Sequence, residues 1–220
     1  MGRTCTLSAH VLPRANDPMP NIRIPKGFIN SSIFLLSVIM SLGIVSFRVR
    51  SPQINIKYST LGLLKEAKVV IPGIPHNISI PKIDVNTKVE LVGLDESYNM
   101  GVPKDVDNVG WYRLGHKPGE NGNAVIDGHF DSQTGPAIFY KLSELILGDK
   151  IIVKDDKGKN FIFSVIDKKS YPYNKLPLKD IFGSQSNPQL VLITCSGQFN
   201  RSTQNYSDRT VVYAILTDVN

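Results

Sequence analysis

Residues Phe28 to Phe47 (FINSSIFLLSVIMSLGIVSF) run for twenty positions without a charge, between Lys26 and Arg48. Twenty helical residues at about 1.5 Å each reach about 30 Å, the thickness of a bilayer's hydrocarbon core. A soluble helix keeps a polar face, and this stretch offers only scattered serines and one asparagine. A cleaved leader would have a shorter apolar core followed by a small-x-small site, which neither Leu42-Gly43-Ile44 nor Ser46-Phe47-Arg48 supplies. The sequence therefore reads as divided by one transmembrane helix, into a short cytoplasmic tail (1–27), the anchor (28–47), a tether (48–76) and a globular domain (77–220). Arg3, Arg14, Arg23 and Lys26 precede the span and Arg48, Arg50 and Lys57 follow it, a slight positive-inside bias. The expectation is a single-pass protein of the cell membrane with its large domain outside. Pro52, Pro72, Gly73 and Pro75 suit an extended tether.

The net charge of +6 sits in the leader. Residues 1–57 hold seven Lys or Arg against Asp17 alone, and the remaining 18 basic and 18 acidic residues cancel. A balanced domain lacks the basic groove that phosphates need, so nucleic acid is not expected as a partner. The two cysteines, Cys5 and Cys195, lie on opposite sides of the span, which argues against an intrachain disulfide. They cannot assemble a zinc site, and Asp105, Asp107 and Glu120 lack ligand-like spacing, so neither metal nor cofactor is expected.

Beyond residue 76 the pattern is that of short strands. Asn77 to Val85 alternates through Pro81, which suits an edge strand. Val89–Leu94, Met100–Pro103, Val109–Tyr112 and Asn123–His129 follow, the last entered through the turn Pro118-Gly119-Glu120-Asn121-Gly122. Phe139, Leu142 and Leu145 recur every third residue, as in one helical turn. Lys150–Lys154 and Asn160–Lys168 flank the turn Asp155–Gly158. A loop from Tyr171 to Phe182 holds a helical turn near Leu178–Ile181. The apolar run Leu190–Thr194 ends at Cys195, where Ser196-Gly197 breaks it, and Thr210–Leu216 is its successor. Seven or eight short strands and almost no long helix argue for a mainly β fold, a small barrel or sandwich.

If the last two strands pair as antiparallel neighbours, Cys195 and Arg209 emerge at the same end of the sheet. His129 ends another apolar strand, whereas His76 and His116 fall in polar surroundings expected to be solvated. A cysteine nucleophile needs a proton-exchange partner and a positive field, and histidine and arginine are the groups that supply them. The order His129, Cys195, Arg209 comes with flanking words Gly128-His129, Leu192-Ile193-Thr194-Cys195 and Ser207-Asp208-Arg209-Thr210-Val211-Val212. Phe139, Leu142, Leu145, Gly148 and Asp149 spell a further word, F-x-x-L-x-x-L-x-x-G-D.

Over residues 77–217 these words, in this order, resemble the sortases, membrane-anchored cysteine transpeptidases of Gram-positive bacteria. One departure is Leu192 where the T-x-T-C word has its first threonine. Gly101-Val102-Pro103, Gly110-Trp111-Tyr112 and Pro118-Gly119-Glu120 most resemble the class F branch. The resemblance implies a closed barrel of about eight strands. It implies Cys195 as nucleophile on an LPxTG-like sorting signal, cut between Thr and Gly to leave a thioacyl enzyme. It implies His129 as general acid and then base, and Arg209 as the group that holds the peptide and stabilises the oxyanion. Thr194, and after it Ser196, are expected beside the substrate. The implied partners are the sorting-signal peptide and an amine acceptor on peptidoglycan or a pilin. Asp131, two residues past His129, is a candidate to orient its ring, and equally a turn cap.

Other readings are weaker on the residues. L,D-transpeptidases resemble a packed S-H-G-C word, absent at Thr194-Cys195, and papain-like peptidases place Cys before His. A non-catalytic surface barrel that binds wall or sorting peptides has no need of all three of His129, Cys195 and Arg209.

Overall fold

The computed structural model describes residues 7–8 and 70–220. The apolar segment 28–47, most of the tail and most of the tether lie outside the described residues. The strands are Leu7–Ser8 (β1), Pro75–Ile80 (β2), Val85–Val92 (β3), Asn99–Met100 (β4), Val109–Tyr112 (β5), Gly122–Gly128 (β6), Asp131–Ser132 (β7) and Gly135–Pro136 (β8). Lys150–Asp155 (β9), Asn160–Pro172 (β10), the helix Leu178–Phe182 (α1), Pro188–Asn200 (β11) and Asn205–Val219 (β12) complete the order. Eight of these strands close on themselves in the order β10-β12-β11-β6-β5-β3-β2-β9. The expected mainly β barrel is what forms.

Closure removes every edge, and this corrects the reading of the first strand. Pro81 does not ride on an edge. It starts a 3-10 turn, Pro81–Ile83, that separates β2 from β3, and β2 pairs with β3 on one side and β9 on the other. Proline fits there because its missing N–H falls at the start of a helical turn.

Alternation sorts the side chains. Inside the barrel lie Ile78, Ile80, Val109, Trp111, Ala124, Ile126, Phe161, Phe163, Leu190, Leu192, Val212 and Ala214. Phe139, Leu142 and Leu145, the every-third-residue word, are fully buried in the same core, across a 3-10 turn at Leu142–Glu144. A second apolar layer forms on the other face of the sheet, from Val92, Met100, Tyr112, Val125, Val191, Ile193 and Val211 with Ile181 of α1. Strands buried on both faces read as continuous apolar runs, which explains the unbroken Leu190–Ile193 and Ala124–Ile126.

The β11–β12 pair continues past Cys195, contrary to the break expected at Ser196-Gly197. Pairing resumes at Phe199↔Tyr206 after a register shift, with Gly197 at φ 80°. Glycine marks a bulge here, not an end. Strand β10 likewise runs to Pro172, beyond the expected Lys168. Strand β1 pairs antiparallel with β4, Leu7 opposite Met100 and Ser8 opposite Asn99.

Candidate active site

Three neighbouring strands bring the three sequence candidates into one row. Strand β11 runs parallel to β6 with Ile193 opposite Asp127, so Cys195 comes level with His129, just past the end of β6. On its other side β11 is antiparallel to β12, and Cys195 is opposite Arg209. Ile193 and Val211, two residues from Cys195 and Arg209, belong to the outer apolar layer, so this row lies on the outside of the barrel wall.

All three residues are buried, His129 at 3% exposure, Cys195 at 1% and Arg209 at 0%. His129 Nε2 lies 3.0 Å from the Pro103 carbonyl oxygen. A carbonyl only accepts, so Nε2 carries the hydrogen and Nδ1 is the nitrogen left for proton exchange. Nδ1 is buried and has no hydrogen-bond partner among the described residues.

Arg209 is held as a fork. Nη1 donates to the carbonyls of Asp208 at 2.8 Å and Tyr206 at 3.2 Å, and Nη2 donates to Asn205 Oδ1 at 2.8 Å. Its guanidinium carbon sits 5.8 Å from the centre of the Tyr173 ring. Nε is buried without a hydrogen-bond partner among the described residues, so its N–H is open to a ligand. Burial pushes the Arg209 pKa down to about 10, against the opposing pull of Asp208 and Tyr173. The group is therefore a fixed cation at neutral pH. Asp208 helps orient Arg209 through its main-chain carbonyl, while its carboxylate accepts from Ser207 Oγ at 2.5 Å.

Cys195 is disulfide-bonded in this structure, with its partner outside the described residues. That corrects the expectation drawn from the anchor, and a thiolate at this position first requires reduction. Around Cys195 stands an aromatic shelf that the sequence did not single out. Tyr206 packs beside it with Phe130 and Phe199, and Phe130 continues to Tyr140 at 4.9 Å between ring centres. Below Tyr140, a cleft of about 370 Å³ is lined by Ile83, Asp84, Asp107, Pro136 and Lys141 among others.

The remaining candidates fall differently. Thr194 is 2% exposed and alternates to the face opposite Cys195. Its Oγ1 donates to the Gly128 carbonyl at 2.8 Å, so it pins β11 to the end of β6. Ser196 is half-buried, and its hydroxyl has no hydrogen-bond partner among the described residues. Asp131 accepts a 2.5 Å hydrogen bond from Tyr206 Oη, and the His129 ring is oriented by Pro103. His76 is exposed as expected. His116 is half-buried, packed over Gly122, and its carbonyl accepts from Trp111 Nε1 at 3.0 Å. Among the described residues no group of His, Cys, Asp and Glu could hold a metal ion.

A closed β-barrel thus brings cysteine, histidine and arginine into line across three strands of its outer wall. A family model for the sortase domain matches residues 78–217, and the chain belongs to that family, the cysteine transpeptidases called sortases. Solved structures agree on the fold. Sortase A from Corynebacterium diphtheriae is 21% identical with a TM-score of 0.52, over 69% of this chain and 64% of that one. Sortase A from Listeria monocytogenes is 19% identical with a TM-score of 0.52, over 67% and 90%. Sortase C-1 from Actinomyces oris is 20% identical with a TM-score of 0.52, over 65% and 71%. The chain thus spans less than two thirds of the Corynebacterium structure. No curated protein sequence matches.

Proposed function

We propose that this chain is a membrane-anchored, class F-like sortase. In this reading it cleaves an LPxTG-like sorting signal between Thr and Gly and transfers the acyl part to an amine on peptidoglycan or a pilin. The observation that carries it is the level row of His129, Cys195 and Arg209 on β6, β11 and β12. Reduced Cys195 passes its thiol proton to His129 Nδ1, and the thiolate attacks the scissile carbonyl carbon, so that the carbon–sulfur bond forms as the carbonyl becomes an oxyanion. Arg209 Nε–H donates to that oxygen, from a cation whose charge persists at working pH. As the carbon–nitrogen bond breaks, His129 gives the Nδ1 proton to the leaving amine, leaving a thioester on Sγ. The acceptor amine then attacks the thioester and passes its proton to Nδ1. The new amide forms and the thiolate leaves.

Thr194, whose hydroxyl donates to the Gly128 carbonyl, and Ser196 stay candidate substrate contacts. The anchor at 28–47 and the outward placement of the barrel belong to this proposal. Strand β1 speaks against one part of it: a residue pair paired with β4 cannot also lie in a cytoplasmic tail.

The test uses the reduced full-length chain, wild type and Cys195→Ala, with an LPxTG-type peptide and a glycine amine, products weighed by mass spectrometry. A thioacyl adduct and an amine-exchanged product in the wild type alone are expected. Binding of a peptide to both proteins, with cleavage of none in a varied library, would leave a non-catalytic peptide-binding module.

A further inference from the structure

Four charged or titratable side chains other than cysteine and tyrosine are buried among the described residues: Asp127, His129, Asp155 and Arg209. Asp155 is at home, because it accepts from the amides of Gly73, Lys157 and Lys159. Asp127 is not. It is 5% exposed, its Oδ1 has no hydrogen-bond partner among the described residues, and it ends the apolar run Ala124–Ile126. Burial in such a place favours the neutral acid.

Its position gives this acid a task. Asp127 precedes His129 by two residues, on the same face, and its neighbour on β5 is Gly110. A Cβ built at Gly110 would stand 2.6 Å from Asp127 Oδ1, 2.9 Å from Val92 Cγ1 and 3.1 Å from Pro103 Cδ. Three groups thus converge over one glycine, and one of them is the proline whose carbonyl fixes His129 Nε2. On the far side of Gly110 stands Glu90, opposite it in register. Glu90 accepts from the amides of Lys104 and Asp105 and from Asn108 Nδ2, so it fastens the loop that follows Pro103. The loop is tied down by Glu90, and Asp127 stands over the same glycine as Pro103.

We propose that Asp127 is a positioning residue for His129: as a neutral acid it fills the gap over Gly110 beside Pro103, keeps the Pro103 carbonyl on Nε2, and so reserves Nδ1 for proton exchange at Cys195. The inference rests on the acid–base reading of His129. Charge would defeat the role, since an ionised Asp127 would face Glu90 across Gly110.

The experiment compares wild type, Asp127→Asn, Asp127→Ala and Asp127→Ser in the reduced full-length chain labelled with ¹⁵N-histidine. Four histidines give few signals, and His129→Gln identifies the one that matters. Wild type and Asp127→Asn should show the single Nε2–H tautomer. Asp127→Ala should show mixed tautomers and a fall in peptide thioacylation kcat of about tenfold or more, with KM nearly unchanged. Asp127→Asn should stay within about threefold of wild type, because it keeps shape and neutrality. Asp127→Ser leaves much of the same gap and is read in place of Asp127→Ala should the latter not fold. A gapped variant that keeps the wild-type tautomer and kcat overturns the proposal, as does a folded Asp127→Asn that fails as badly as Asp127→Ala. Should wild type acylate no peptide while the tautomer still shifts in Asp127→Ala, the functional reading fails and the positioning role stands.

Discussion

At the scale of single residues, the site is built from groups held in states that water would not give them. Arg209 is the clearest case: three acceptors grip its two Nη atoms, and burial lowers its pKa to about 10. A lysine carries the charge but not the fork, so Arg209→Lys should fold and lose about 10²-fold in kcat/KM, measured with the sorting peptide. Asp127 makes a prediction about stability. Burial, reinforced by the charge of Glu90, holds its pKa well above the usual carboxylate value despite a bond from its own amide. The folded state therefore keeps a proton that the unfolded chain loses near pH 4. The unfolded state binds fewer protons across that window, so stability falls as pH rises from about 4 toward the folded pKa. Asp127→Asn removes the titration. In urea unfolding it should gain little over wild type at pH 4 and a growing margin toward pH 8. A margin that does not widen with pH would show that Asp127 is not neutral in the fold.

Whole strands decide where those residues stand, and here the match between sequence and structure is uneven for physical reasons. Leu190–Thr194 and Thr210–Leu216 were legible because strands covered on both faces are continuously apolar, and the row at their ends followed from pairing alone. The third member, His129, needed the parallel β6–β11 register, which no local pattern encodes. The face that Thr194 takes was not legible, because a sequence word does not encode it. Its hydroxyl turns inward to Gly128, so Thr194→Val strands a buried carbonyl. That change should cost about 1–3 kcal/mol and lower Tm by several degrees, seen by thermal denaturation, with kcat falling because the end of β6 carries His129. Asp127 escaped notice inside Asn123–His129, since a single acid barely weakens an apolar run. The shelf of Phe130, Tyr140, Phe199 and Tyr206 joins the link between β6 and β7, the turn after β8 and the β11–β12 pair, which are adjacent only once the barrel forms. Gly197 looked like a stop and is a bulge. Any Cβ there would collide with Ser207 and the Asp208 carboxylate at a φ of 80°, so Gly197→Ala should lose about 1 kcal/mol or more of stability and weaken the grip on Arg209.

Taken whole, the molecule poses one question that the barrel alone does not answer: on which side of a membrane the leader lies. The twenty-residue apolar segment and the basic leader argue for a span with the tail inside, and the charge-neutral barrel has no electrostatic reason to stay near an anionic surface. Against this, β1 pairs with β4 of the barrel domain, and Cys195 is held as a disulfide. A tail across a bilayer can do neither. The two cysteines are natural reporters, because the chain has no others. Intact cells expressing Cys195→Ser or Cys5→Ser would be reduced and treated with a membrane-impermeant maleimide. The anchor reading expects Cys195 to label from outside in Cys5→Ser, and Cys5 in Cys195→Ser to label only after the membrane is opened. If Cys5 labels on intact cells, the leader shares the barrel's side and 28–47 does not cross. In that case the pairing of β1 with β4 describes the working protein, and any access to Cys195 begins with reducing its disulfide.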